Sequence, residues 1–181
     1  MKEETKKKIK SFAIEVLDFF LGLPENFINS FDRKEFYRLM SGYPTETQLT
    51  CSNIAQLVAN LKRSGYIKVS KSSRGESIEF TNKAKLAVID TLADKKKSDG
   101  KHYFVSFDIP EDLRANRDKF RRAIKKIGFI QIQKSLWVNN KSVGDLVEMA
   151  AYEYEVEKYV VYIVSELTDI DGIIDKKFSA S

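Results

Sequence analysis

The sequence predicts an α+β chain built from two small domains, and three observations carry that prediction. The first half orders helical patterns ahead of a strand–turn–strand run, and the second half alternates strand and helix in a βαββαβ order. Between them lies Asp94-Lys-Lys-Lys-Ser-Asp-Gly100, polar and containing Gly, as a linker would be. The expected division is therefore 1–94, a linker at 95–100, and 101–181. At about 150 residues per domain, 181 residues suit one large domain or two small ones.

In the first half, Ile9, Phe12, Ala13, Val16, Phe19, Phe20 and Leu23 recur at helical spacing from Glu4 onward. Leu17 and Leu21 make a second apolar side, which predicts a helix that packs twice, against its own domain and against another surface. Gly22 and Pro24 end it. A second helix runs from an Asp32 N-cap to Met40, stopped by Ser41-Gly-Tyr-Pro44. A third begins near Thr50 or Ser52 and ends at Gly65, with Ile54, Leu57, Val58 and Leu61 inward. Its opposite face presents Asn53, Gln56, Asn60 and Arg63, without a carboxylate. Tyr66–Ser70 and Ser77–Thr81 then read as strands around a basic turn from Lys71 to Glu76, and Asn82 as the cap of a helix reaching Asp94.

Helix, helix, turn, helix and a two-stranded wing make the order of a winged helix-turn-helix. Leu61-Lys-Arg-Ser-Gly-Tyr-Ile67 resembles the joint between recognition helix and wing in that family, with Gly65 at the left-handed position.

In the second half, His102–Ile109 reads as a strand stopped by Pro110, followed by a helix from Asp112 to Ile127 that buries Leu113, Phe120, Ala123, Ile124 and Ile127. That helix is expected to expose Arg114, Arg117, Lys119, Arg121, Lys125 and Lys126. Phe129–Gln133 and Leu136–Asn139 read as strands, Ser142 to Glu153 as a helix and Lys158–Ser165 as a last strand, a ferredoxin-like βαββαβ domain.

The charge is unevenly spread. The chain carries 31 Lys+Arg against 26 Asp+Glu, a net charge of +5. Residues 1–100 hold 18 basic and 13 acidic residues, and residues 101–181 hold 13 of each. Thr47–Gly75 has no acidic residue but carries Lys62, Arg63, Lys68, Lys71 and Arg74, a pattern that suits a polyanion. The second domain is dipolar: 9 basic and 4 acidic residues over 101–134, then 4 and 9 over 135–181.

Several function classes are excluded. With one His and one Cys, the chain lacks the roughly four N/S ligands of a structural zinc site. Cys51 has no disulfide partner within the chain, and no Gly-rich phosphate loop occurs. No apolar run approaches the roughly 20 residues of a membrane span, so no membrane partner is expected. The Lys-rich start and the apolar stretch from Ser11 to Leu23 are interrupted by Glu15 and Asp18, with no small-residue cleavage site after them; the expectation is a cytoplasmic protein.

Phe107-Asp-Ile-Pro-Glu111, Arg114, Arg117, Arg121, Gly128-Phe129 and Gln133-x-Ser135-Leu-Trp137-Val138 resemble the central domain of PaaX-type transcriptional repressors. That domain is itself similar to the small nuclease-type subunit of the CRISPR spacer-integration complex. In the repressors it follows a winged helix. The resemblance covers about Lys101 to Leu167. The usual further C-terminal domain is not expected here, so a response to acyl-coenzyme A is not implied, and whether any small-molecule effector exists stays open.

The resemblance implies a sequence-specific, double-stranded-DNA-binding repressor acting as a homodimer, without a cofactor. The expected DNA-binding residues are Ser52, Asn53, Gln56, Asn60, Lys62 and Arg63 on the third helix, with Lys71, Ser72, Ser73 and Arg74 on the wing. The alternative is a CRISPR-type adaptation subunit or Mg2+-dependent nuclease with a fused winged helix. There Asp108, with Glu111 and Asp112, would be the metal ligand. The competing role for Asp108 is structural, capping the next helix or accepting from Arg114 or Arg117. A protein–protein adaptor is a third reading.

Overall fold

The computed structural model describes residues 12–21, 30–44, 49–72 and 75–179. They fall into two compact units, Met1–Val88 and Ile89–Ser181.

In the first unit, α1 covers residues 12–21. The remainder of the expected first helix lies outside the described residues. Val16, Leu17, Phe20 and Leu21 are all fully buried, so within the described residues both apolar sides of α1 are covered by the unit itself. β1 (Ser30–Asp32) leads directly into α2 (Arg33–Ser41), whose N-cap Asp32 accepts from the Lys34 N–H at 2.7 Å. α3 (Cys51–Arg63) begins at the Thr50 cap and buries Ile54, Leu57 and Leu61.

The hairpin is longer and its sheet wider than the sequence pattern implied. β2 (Ile67–Ser72) and β3 (Gly75–Phe80) place Lys71, Ser72, Gly75 and Glu76 inside the strands rather than in the turn. β1 pairs with the far side of β3, giving a three-stranded sheet in the order β1-β3-β2. Three residues are too few to show a period of two, which is why β1 is invisible to periodicity.

Two corrections concern the segment between the halves. The helix expected from Asn82 to Asp94 is two helices, α4 (Asn82–Ala87), capped by Thr81 rather than Asn82, and α5 (Ile89–Asp94). The expected linker is partly strand, because β4 (Ser98–Phe107) begins at Ser98.

In the second unit a 3₁₀ turn at Glu111–Leu113 precedes α6 (Arg114–Lys126); β5 is only Ile130–Gln131, and β6 is Leu136–Lys141. α7 (Gly144–Glu153), β7 (Val160–Ser165) and α8 (Asp171–Ser179) follow. The order β4-α6-β5-β6-α7-β7 is the βαββαβ order read from the sequence, and the strands lie β5-β6-β4-β7, every neighbouring pair antiparallel. The sequence pattern did not indicate α8. Ile174 of α8 is fully buried with Phe104 and Val138, and Phe178, Ile170, Ile132 and Leu136 pack around them.

Three helices end in the same way. After α3 the Tyr66 N–H bonds the Leu61 carbonyl at 2.9 Å and the Gly65 N–H bonds that of Lys62 at 3.0 Å, with Gly65 at φ 72°. This is a Schellman closure. It recurs at Gly128 after α6 and, without glycine, at Glu155 (φ 56°) after α7.

A Cβ added at Gly65 would meet only the Lys83 side chain at ordinary contact distance, so the cost of Gly65→Ala comes from its backbone angle. Expected outcomes are a loss of about 1–2 kcal/mol for Gly65→Ala and a gain of about 1 kcal/mol for Glu155→Gly, both read by urea denaturation.

Candidate nucleic-acid interface

α3 is fixed at both ends. The Thr50 hydroxyl accepts from the Asn53 N–H at 3.3 Å and itself donates to the Asn53 side-chain oxygen. At the other end Thr81 ties helix to hairpin: its hydroxyl lies 2.7 Å from the Gly65 carbonyl and 3.2 Å from that of Tyr66, and it accepts from the Ala84 N–H at 3.3 Å. Lys83 Nζ donates to the Ser64 carbonyl at 2.8 Å. The face of α3 is thereby held in a set orientation relative to β2 and β3.

That face carries most of the residues read from the sequence. Ser52, Asn53, Gln56, Lys62 and Arg63 are exposed and Asn60 is half-buried. Asn53 is not a free amide, since its oxygen is engaged by Thr50, which leaves its NH2 group as the side chain's unengaged donor. Lys62 stands on a different flank from the amides, with exposed Ala55 and Ala59 between them. Sequence reasoning passed over these two alanines because alanine carries no recognition chemistry. Their small side chains let a backbone or groove wall approach α3 closely. Cys51 is exposed at the first turn.

On the hairpin, Lys68 and Lys71 are exposed in β2. Ser72 closes β2, and Ser73 and Arg74 lie outside the described residues. The acid-free window ends at Gly75, and β3 brings carboxylates back: Glu79 sits directly opposite Lys68 and Glu76 opposite Lys71. Glu76 is ion-paired with Arg33 of α2, whose guanidinium also donates to the Tyr37 hydroxyl at 3.3 Å. Bonds to Tyr37 and Glu76 hold the Arg33 pKa above its ordinary value. One carboxylate near the hairpin is thus neutralised within the unit, a pairing no local pattern could reveal.

The second unit is where catalysis was considered. Asp108 is exposed, and its backbone N–H donates to the Tyr159 carbonyl at 3.2 Å. It does not cap the following turn, whose N-cap is Pro110 with no side-chain cap bond. The arginines go instead to Glu111, at 2.9 Å from Arg117 and 3.5 Å from Arg114, while Arg117 also donates to the Ile109 carbonyl at 3.3 Å. Among the described residues of one chain, no three His, Cys, Asp or Glu side chains gather where they could hold a metal ion. On α6, Arg117 and Arg121 are half-buried rather than exposed, leaving Arg114, Lys119, Arg122, Lys125 and Lys126 as its cationic surface.

His102 is mostly buried, with Nε2 3.2 Å from an Asp171 oxygen of α8 that also accepts from Thr168. Tyr103 stacks on Tyr162 with ring centroids 6.0 Å apart and donates to Asp99 at 2.5 Å, a bond that lowers the Asp99 pKa. Burial pushes the Tyr162 phenol up to about 12, so it stays protonated at neutral pH and is no candidate base.

No helix among the described residues is long and apolar enough to cross a membrane. No curated protein and no solved structure matches the chain. Residues 95–175, which take in β4 through most of α8, match the family model described as PaaX protein central Cas2-like domain, and this match supports a PaaX-type protein.

Proposed function

We propose that the chain is a cytoplasmic repressor of the PaaX type, which binds double-stranded DNA as a homodimer through a winged helix-turn-helix in its first unit. The coarser part of this reading, a PaaX-like transcription regulator, is supported by the family match over residues 95–175. The observation that carries the finer part is the exposed, carboxylate-free face of α3, locked at Gly65 and Thr81 to a hairpin bearing Lys68 and Lys71. Gln56 and the free NH2 group of Asn53 can pair with adenine edges in a major groove, and Arg63 with guanine. Ala55 and Ala59 admit the groove wall, while Lys62 and the hairpin lysines meet phosphates.

A regulator of this kind performs no chemistry on its ligand. Its action is occupancy: α3 supplies the sequence-dependent part of the binding energy, and the cations supply a salt-dependent part common to all sequences. No cofactor enters this reading. In the nuclease alternative Asp108 would have to find its co-ligands elsewhere, because Glu111 is ion-paired with Arg114 and Arg117.

Selection of bound sequences from random duplex DNA, run with and without Mg2+, tests the proposal. Recovery of a specific site that survives intact supports it; cleavage, or no enrichment, sinks it. On that site Gln56→Ala or Arg63→Ala is expected to lose about 1–3 kcal/mol of binding while barely changing affinity for random duplex. Equal losses on both would remove these residues from base reading. Lys71→Ala is expected to weaken every sequence alike and to reduce the log–log salt slope by about 1, measured by fluorescence anisotropy across a salt series. Asp108→Asn is expected to leave DNA affinity and melting temperature unchanged, because the side chain caps nothing. Metal-dependent cleavage by the wild type that vanishes in this variant would establish the nuclease instead.

A further inference from the structure

We infer that Arg33 is a positioning residue for DNA binding: by holding Glu76 it keeps that carboxylate off Lys71, so that the hairpin lysine meets a phosphate with its charge uncancelled. This rests on the DNA-binding reading above and adds to it a residue of α2 that acts on DNA only through other side chains.

β3 is the middle strand of its sheet, with β1 on one side and β2 on the other. Each of its two carboxylates therefore has a neighbour on either flank. Glu79 lies opposite Lys68 of β2 and Ser30 of β1. Glu76 lies opposite Lys71 of β2. On its other flank β1 ends where Asp32 pairs with Ser77, so Arg33, the first residue of α2, emerges one step further along, beside Glu76. A single carboxylate thus stands between two cations. Directly opposed side chains on an antiparallel pair have Cβ atoms about 5 Å apart, close enough for Lys71 to reach Glu76.

Glu76 is nevertheless ion-paired with Arg33. The guanidinium is already fixed on Tyr37: its Cζ lies 5.4 Å from the ring centroid and one nitrogen donates to the hydroxyl at 3.3 Å, leaving the other for Glu76. A planar fork held this way loses less freedom on binding a carboxylate than a lysine on its flexible four-carbon stem. Lys71 stays exposed and, among the described residues, forms no ion pair. At Glu79 the neighbour on β1 is Ser30, which has no charge to draw the carboxylate from Lys68. Lys71 is therefore the described hairpin lysine whose opposing carboxylate is engaged elsewhere. Were Glu76 released, it would compete with DNA for the lysine and repel the approaching phosphate.

Variants of the full chain, titrated with random-sequence duplex by fluorescence anisotropy across a salt series, test this. Arg33→Ala is expected to lose about three- to tenfold in affinity at about 0.1 M salt and to lower the log–log salt slope by up to about 1, the scale of one phosphate contact. Glu76→Gln is expected to bind at least as tightly as the wild type. Arg33→Ala combined with Glu76→Gln is expected to recover the wild-type affinity and slope. Glutamine cannot restore the ion pair between α2 and β3, so this recovery reports charge and not a repaired hairpin. Lys71→Ala, which lowers the slope in the wild type, is expected to lower it little further beside Arg33→Ala. An exposed ion pair contributes little to stability, so every variant is expected to keep the far-ultraviolet spectrum of the wild type. An Arg33→Ala variant that binds like the wild type, or a double variant as weak as Arg33→Ala alone, overturns the role of Arg33 while the wild-type response to Lys71→Ala still upholds DNA binding through the hairpin. A wild-type chain that binds no duplex, or whose slope Lys71→Ala leaves unchanged, overturns that reading and this inference together.

Discussion

Phe20 holds the first unit together. Its ring stacks on Phe36 with centroids 4.6 Å apart and meets Phe31 at 5.0 Å and Phe80 at 5.7 Å. Those four side chains come from α1, α2, β1 and β3, so one aromatic cluster sets the positions of the elements around it. Aromatic rings bury more surface than other side chains, and removing one from a core costs about 3–5 kcal/mol. Against a typical total stability of about 5–15 kcal/mol, that is a large fraction of what holds a domain folded. The orientation of α3 depends on this cluster indirectly: β3 carries Phe80 at its end, and Thr81, the next residue, ties α3 to the hairpin.

The second unit solves a different problem, because its central strand must satisfy two neighbours and two faces. β4 bonds to β6 on one side and β7 on the other, and buries Tyr103, Phe104, Val105 and Phe107. The buried Asn139 on β6 is paid for locally: its Nδ2 donates to the Ile127 carbonyl at 3.1 Å and its Oδ1 accepts from the Lys141 N–H at 2.9 Å. It thereby closes the last turn of α6 beside Gly128. Glu111 serves the architecture in the same way, holding Arg117 at 2.9 Å beside the start of α6.

What could be read from the sequence follows from range. The helix starts at Asp32 and Thr50, the stop at Gly65 and the apolar stripe of α3 are local, and each is where its pattern placed it. β1 and the break at Val88 escaped because neither is long enough to impose a period. α8 escaped because its pattern is only weakly amphipathic; one residue, Ile174, is buried. On α3 exposure was legible for Ser52, Asn53, Gln56, Lys62 and Arg63, while engagement was not. The Arg33–Glu76 pair spans 43 positions in sequence, and nothing near either residue announces the other.

Asn53 serves two masters. Its backbone N–H and side-chain oxygen are both bound to Thr50 at the start of α3, on the surface proposed to read base edges. A substitution there changes what the helix can recognise and how firmly the helix begins. Gln56 and Arg63, which have no such second engagement, are open to change without that penalty. On the proposed reading, drift in what this face recognises would therefore run through positions 56 and 63 first, with position 53 the slowest to diverge.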